Sequence, residues 1–254
     1  MPQTPEAVES IEDVISLLEI IIVESQTHND PLGYFAALYQ KVTIKVKEGI
    51  EAGFFDDGER MEKLDVIFAK RYLDAYFNYK NNLGTTSAWA KVFNLSTHYW
   101  PIVLQHLLIG MNAHINLDLG IAAAEISTQG TIADLKEDFK KINTILSSLV
   151  HEVQDDLAKV WPTLKWILTK TKKVDDFLVD FSMELARDGA WKFACELASK
   201  TGNDREVMIK SRDHIVSKKA KLVTNPGMIP KVLLWMIRIG EKGTVSKKID
   251  DLKG

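Results

Sequence analysis

The segment from Pro101 to Glu125 carries polar side chains within an otherwise apolar stretch. His114 and Asp118 are four residues apart, so both side chains can reach one point on a helix. An imidazole and a carboxylate at this spacing can ligate a divalent metal such as zinc, iron or manganese, or form a hydrogen-bonded pair inside a core. His106, two turns earlier, is the candidate third ligand or general base, because a catalytic metal needs three protein ligands and an open position for water.

The polar residues of this segment fall on two sides of the predicted helix. At about 100° per residue, His106, His114 and Asp118 share one face that covers about a third of the circumference. Asn112 and Asn116 lie on roughly the opposite side. These asparagines are candidate substrate contacts, and they can equally bond to neighbouring helices, since asparagine has poor helix propensity and needs partners when buried.

Two further segments supply charged residues that can complete a site. Arg71 and Asp74 are three residues apart on a predicted helix, so they can pair with each other or reach the polar segment. Arg187 lies among aromatic residues in the stretch ELARDGAW. Either arginine can hold a carboxylate or phosphate of a substrate, with Asp74 as an additional substrate contact. Salt bridges between helices are the alternative interpretation.

The elements that must position these residues are helices. Apolar residues recur at i, i+3, i+4 and i+7 between the prolines and glycines, and no paired period-2 strands are evident. We therefore predict an all-α fold. Nine helices are predicted: Pro5 to Gln26, Pro31 to Ala52, Gly58 to Tyr79, Thr86 to Phe93, Pro101 to Glu125, Ile132 to Val160, Val174 to Ser199, Asp204 to Val223 and Pro230 to Ile239.

The chain is predicted to form a single bundle-like domain over residues 1–240, followed by a flexible polar tail at 241–254. The helix from Pro101 to Glu125 has polar and apolar residues on all sides, so we place it in the middle of the fold with neighbours all round. Gly110 within it predicts the close approach of another helix or of a ligand.

Composition excludes several classes of protein. The chain has 254 residues and a formal net charge of −3, which disfavours nucleic-acid binding. Its single cysteine, Cys195, rules out an intramolecular disulfide framework and is predicted to lie in a helix core. The acidic N-terminus lacks the pattern of a secretory signal, and no apolar run predicts a transmembrane span, so we expect a cytoplasmic protein. The oligomeric state stays open.

Four stretches of the chain carry a family resemblance: LQHLLIGMNAHINLDLGIAAAE, PLGYFAALYQKVT, LDVIFAKRYLDA and FSMELARDGAWKFA. They resemble a bacterial family of all-helical proteins that is classified only as a domain of unknown function. The likeness spans Pro31 to Ala198. It implies one helical domain and implies no activity.

A second, shorter resemblance concerns Gly110, His114 and Asp118. Their Gly-x-x-x-His-x-x-x-Asp pattern is similar to a helix of the zinc-dependent phospholipase C and P1-type nucleases, which implies that His114 and Asp118 are metal ligands. The chain departs from those enzymes in lacking a histidine soon after Asp118 and the amino-terminal tryptophan ligand.

Three hypotheses about function follow. In the first, the protein is a metal-assisted hydrolase of a small phosphoester or other ester, with His114, Asp118 and His106 at the metal and Arg71 or Arg187 on the substrate. In the second, the same polar groups line a pocket that binds a small or lipid-like molecule without turnover. In the third, they satisfy one another as a structural network.

Overall fold

The computed structural model describes residues 8–127, 131–161, 183–225 and 227–254, with only the backbone at 147, 150, 151, 183, 184 and 228–233. Within these ranges the protein is helical and has no strands, which confirms the predicted all-α class. Its α-helices are α1 (Ile11–His28), α2 (Leu32–Glu51), α3 (Gly58–Lys80), α4 (Ser87–Ser96), α5 (Val103–Ala113), α6 (Gly120–Ile126), α7 (Lys136–Val160), α8 (Met183–Ala198), α9 (Gly202–Thr224), α10 (Met228–Gly240) and α11 (Val245–Lys253).

Most predicted helices lie close to observed ones. The predicted beginnings at Pro5 and Val174 fall outside the described residues. A short 3-10 turn at Ile132–Leu135 precedes α7, and Oδ2 of Asp134 accepts the backbone N–H of Thr131 at 3.3 Å. Cys195 was expected in a helix core but is exposed on α8.

The segment predicted as one central helix consists of α5, a π-helical turn at His114–Leu119 and α6. Nearly all of its residues are buried, and it packs against α2, α3, α4, α8 and α9. The expectation of a central helix with neighbours on every side is therefore confirmed. In the π turn the hydrogen bonds run from i to i+5, and such turns occur most often at functional sites.

Gly110 lets α2 approach this central helix closely. A Cβ atom at Gly110 would lie 2.4 Å from Cδ2 of Phe35, which is nearer than two carbon atoms can come. The Phe35 ring itself packs edge-on against Tyr72, Trp89 and His114. Helix packing, one of the two explanations that the sequence offered for Gly110, is thus the one that the structure supports.

Two buried carboxylates on α7 fix this helix against α2 and α3. Asp138 is fully buried and accepts the backbone N–H groups of Asp56 and Asp57, at 2.7 and 3.0 Å, and a bond from Arg60. Nζ of Lys41 on α2 lies 2.5 Å from the Asp156 carboxylate, and both residues are buried. These contacts set the position of one wall of the cavity described below.

The prediction of a flexible tail at 241–254 is corrected by the structure. Val245, Ile249 and Leu252 have i, i+4, i+7 spacing, and the last two are buried where α11 packs on α1, α2 and α7. Glu241 precedes this helix, accepts the backbone N–H of Val103 at 2.8 Å, and pairs with Lys248 at 2.7 Å. The apolar stripe was short enough to read as scattered residues in the sequence.

One helical stretch, Val103–Ile126, is long and apolar enough to cross a membrane, with a mean hydropathy of 1.3. However, 89% of that window is buried inside the fold. A buried core helix passes the same test of length and composition, so the described ranges contain no clear transmembrane segment.

We expect Gly110→Ala to lower the free energy of unfolding by about 1–3 kcal/mol, because the added methyl group overpacks the Phe35 ring. Gly84→Ala is the control, since a Cβ at Gly84 meets no atom within 4 Å and its φ is not positive. That variant should change stability by about 0.5 kcal/mol or less. Urea unfolding of both proteins checks the prediction, and equal stabilities would mean that Phe35 moves aside freely.

Candidate functional site

The Asp118 carboxylate is the meeting point of three helical segments. It is fully buried in the π turn and accepts a hydrogen bond of 2.8 Å from Nε1 of Trp89 on α4. Nε of Arg71 on α3 donates to its other oxygen at 2.9 Å. Nδ1 of His114 lies 3.2 Å from the oxygen that Trp89 contacts. The structure thus brings together three of the predicted site residues: Arg71, His114 and Asp118.

The His114 ring is held in one orientation. It stacks on Phe68 with ring centroids 3.6 Å apart and planes 9° from parallel, and the edge of Tyr39 contacts it at 4.6 Å. Burial lowers the pKa of His114, while the bond to Asp118 acts in the opposite direction. Because a carboxylate accepts hydrogen bonds, the neutral ring carries its proton on Nδ1 and presents a lone pair on Nε2.

A cavity of about 380 Å³ adjoins this histidine. Its volume is within the range of small-molecule sites, roughly 300–1,000 Å³. Gln154 lines the cavity and is exposed, so the cavity reaches the surface beside α7. The walls are mainly apolar and come from α2, α3, α5, the π turn, α7 and α8, with Val46, Leu64, Leu108, Ile115 and Leu149 among the lining residues.

Four polar side chains of the cavity wall each have a buried atom without a hydrogen-bond partner. Within the described part of the chain, these atoms are the hydroxyl oxygen of Tyr39, Oδ2 of Asp65, Nε2 of His114 and Nε of Arg187. An unpartnered buried polar atom costs about 1–3 kcal/mol, and native proteins contain few of them. These four atoms therefore border one cavity without a hydrogen-bond partner from the described residues.

Burial shifts the pKa values of both Asp65 and Arg187. Burial raises the pKa of Asp65 to about 7, with a smaller contribution from the charge of Glu62. Burial lowers the pKa of Arg187 to about 10. Near neutral pH the cavity wall therefore combines a charged guanidinium with a carboxyl group that is only partly ionised.

His106 is separate from this cluster. On the helix it precedes His114 by eight residues, about 12 Å along the axis. Its ring packs edge-on against Tyr34 at 5.5 Å, and burial lowers its pKa to about 3, helped by the charges of Arg238 and Lys248. The structure therefore does not bring His106 to the His114–Asp118 pair.

The remaining predicted substrate contacts lie outside the cavity. Nδ2 of Asn112 donates to the carbonyl oxygen of Val216 on α9 at 3.1 Å, and Nδ2 of Asn116 donates to Oδ1 of Asn112 at 3.4 Å. Asp74 is on an exposed part of α3 and pairs with Lys70 at 3.0 Å. The asparagines therefore attach the central helix to α9.

The sequence reasoning did not include Asp65 or Phe68 in the site. A signal for Asp65 was present, since Met61, Asp65, Phe68 and Tyr72 follow the i, i+3, i+4 pattern of a buried stripe. An acidic residue within such a stripe indicates a buried carboxyl group. Trp89 is buried in the core, but its bond to Asp118 had no sequence signal.

The donor atoms present do not form a ready metal site. Both oxygens of Asp118 already accept bonds from Trp89 and Arg71, and a metal ion would have to displace the Arg71 guanidinium. In the described ranges, no group of three or more His, Cys, Asp or Glu residues is placed to hold a metal. The His114 Nε2 atom is the best single ligand atom in this cluster.

Comparison with known proteins places the chain in a family. A family model described as a family of unknown function (DUF5995) matches residues 11–226. The chain belongs to this family. That span includes Asp65, His114, Asp118 and Arg187, so the whole cluster lies inside the matched region. Searches of curated proteins and of solved structures give no match to the chain.

We expect Asp118→Ala to lower the free energy of unfolding by about 3–5 kcal/mol, because it leaves the buried donors of Trp89 and Arg71 without an acceptor. The matched control is Asp74→Ala, which removes the exposed pair with Lys70 and should cost about 1 kcal/mol or less. Chemical denaturation measures both. Similar losses in the two variants would contradict a central role for the Asp118 network.

The buried Asp65 should make stability depend on pH. Its folded-state pKa of about 7 lies above the ordinary value of 3.8, so the folded protein keeps a proton that the unfolded chain releases. The free energy of unfolding should then fall by about 4 kcal/mol as the pH rises from about 4 to about 8. Asp65→Asn should remove this component of the pH profile.

Glu59→Gln, at an exposed position on the same helix, is the control for that measurement and should leave the profile of the wild-type protein unchanged. Urea titrations at a series of pH values provide the data. If the Asp65→Asn and wild-type profiles run parallel, Asp65 does not hold a proton in the folded state.

Proposed function

We propose that this protein binds a small, mainly apolar molecule in the cavity beside His114. The observation that carries the proposal is a 380 Å³ apolar cavity whose wall contains four buried polar atoms without partners. Apolar walls with a few fixed polar groups are the usual composition of small-molecule sites. The apolar lining stabilises the body of the ligand, and the polar atoms orient it.

The Asp118 network supports this function by fixing His114. Asp118 holds Nδ1 of His114, and Phe68 and Tyr39 prevent the ring from turning. The Nε2 lone pair is thereby kept in position to accept a hydrogen bond from a hydroxyl or amide of the ligand. Such preorganisation lowers the entropy cost of binding.

The geometry favours binding over the metal-assisted hydrolase that the sequence also suggested. That mechanism needs His106, His114 and Asp118 around one ion, whereas His106 packs on Tyr34 and Asp118 is occupied by other donors. Metal binding by His114 stays a prediction, which elemental analysis of the purified protein checks. A purely structural network explains Asp118 but leaves the cavity and its unpartnered atoms unexplained.

N-phenylnaphthylamine, an uncharged apolar fluorophore, is a suitable probe of the cavity. We expect the wild-type protein to bind it with an increase in fluorescence. Met111 lines the cavity and is half-buried, so Met111→Trp should fill part of the volume and weaken binding by about tenfold, or about 1.4 kcal/mol.

Met111→Leu is the matched control, because it nearly conserves volume and should bind the probe as the wild-type protein does. Circular dichroism confirms that both variants remain helical. Absence of probe binding by the wild-type protein, or equal binding by Met111→Trp, would refute the proposed function.

A further inference from the structure

Arg187 is a buried cation on the cavity wall, with no ion pair to any described side chain. Its Nη2 donates to the carbonyl oxygen of Phe139 at 2.7 Å, and the guanidinium carbon lies 4.8 Å from the centre of the Phe139 ring. Neither contact neutralises the charge, and the adjacent Asp188 carboxylate raises the pKa of Arg187 through its charge without forming an ion pair with it. Nε is buried and has no partner.

A buried guanidinium without an ion pair lowers the stability of the protein unless a ligand supplies the opposite charge. A buried charge is normally paired, because the free-energy cost of removing it from water is offset only by an opposite charge and good hydrogen bonds. Phe139 positions the guanidinium on the cavity side of α8 without supplying a negative group. Arg60 on α3 shows the usual solution for the charge, since it pairs with the buried carboxylate of Asp138 although its Nε also lacks a partner.

We propose that the ligand is an amphipathic monocarboxylate, whose carboxylate binds the Arg187 guanidinium and whose hydrocarbon chain occupies the apolar part of the cavity. This inference rests on the proposed function and specifies its ligand class. Guanidinium groups match carboxylates in geometry and form charge-assisted hydrogen bonds with them.

The charge balance favours a carboxylate over a phosphate monoester. Among the described residues that line the cavity, Arg187 is the one with a permanent positive charge. A carboxylate brings a single negative charge, whereas a phosphate monoester brings about −1.5 to −2 at neutral pH and would leave charge unpaired.

Asp65 is compatible with an anionic ligand when it is protonated. Burial raises the pKa of Asp65 to about 7, so its carboxyl group is mostly neutral at pH 6. In that form it does not repel a carboxylate and can donate a hydrogen bond. Burial also lowers the pKa of His114, which favours its neutral form.

Displacement of N-phenylnaphthylamine at pH 6 tests the ligand class with the wild-type protein. Three probes of equal chain length are compared: decanoate, decanol and decylamine. We expect decanoate to displace the fluorophore at a concentration about tenfold or more below that of decanol, with decylamine the poorest competitor.

Two arginine variants test whether Arg187 is the source of the preference for decanoate. Arg187→Gln should raise the half-displacement concentration of decanoate by about tenfold and leave that of decanol unchanged. Arg212→Gln is the control, because Arg212 also covers a phenylalanine ring, Phe193 at 5.1 Å, and donates to a backbone carbonyl, but lies outside the cavity. It should retain the wild-type preference for decanoate.

The outcomes separate the two proposals. If decanoate competes no better than decanol while the fluorophore binds, or if decylamine competes best, the carboxylate assignment is overturned and the binding function stands. If neither the fluorophore nor any of the three probes binds, the proposed function itself fails. Because the wild-type comparison needs no variant, poor folding of Arg187→Gln does not prevent the decision.

Discussion

The buried carboxylate of Asp118 is the constraint on which the centre of this fold depends. An isolated charge at this depth would be strongly unfavourable, so the surrounding helices must bring donors to it. Trp89 comes from α4 and Arg71 from α3, while His114 comes from the same π turn. One side chain therefore fixes the mutual position of α3, α4 and the central helix, and it also sets the orientation of the histidine that borders the cavity.

The polar groups of the core fall into two classes with different consequences. Those facing α9, such as Asn112, bond to backbone carbonyls and satisfy each other. Those facing the cavity, namely Tyr39, Asp65, His114 and Arg187, keep atoms without partners. Folding alone explains the first class. In the proposed function a ligand completes the hydrogen bonds of the second class, and this difference separates structural polar residues from candidate binding residues in a single core.

Much of the fold was predictable because helical periodicity and capping are local properties. The all-α class, the buried central helix and the close approach at Gly110 were all accessible from spacing. The helix Val245–Lys253 was not, since three apolar positions are too few to distinguish a packed helix from scattered residues until α1, α2 and α7 are in place to cover it. For the site, the contact of Arg71 with the polar helix was one of two predicted alternatives, whereas the role of Asp65 was not anticipated.

The order of residue types along the chain was enough to indicate most of the helices and the burial of several polar side chains, because both are local patterns. Only the tertiary structure decided which of these side chains meet. Asp65, His114 and Arg187 come from three different segments, and their common cavity results from how α3, the central helix and α8 pack. Such packing depends on the shapes of many side chains at once, so no short motif in the chain encodes it.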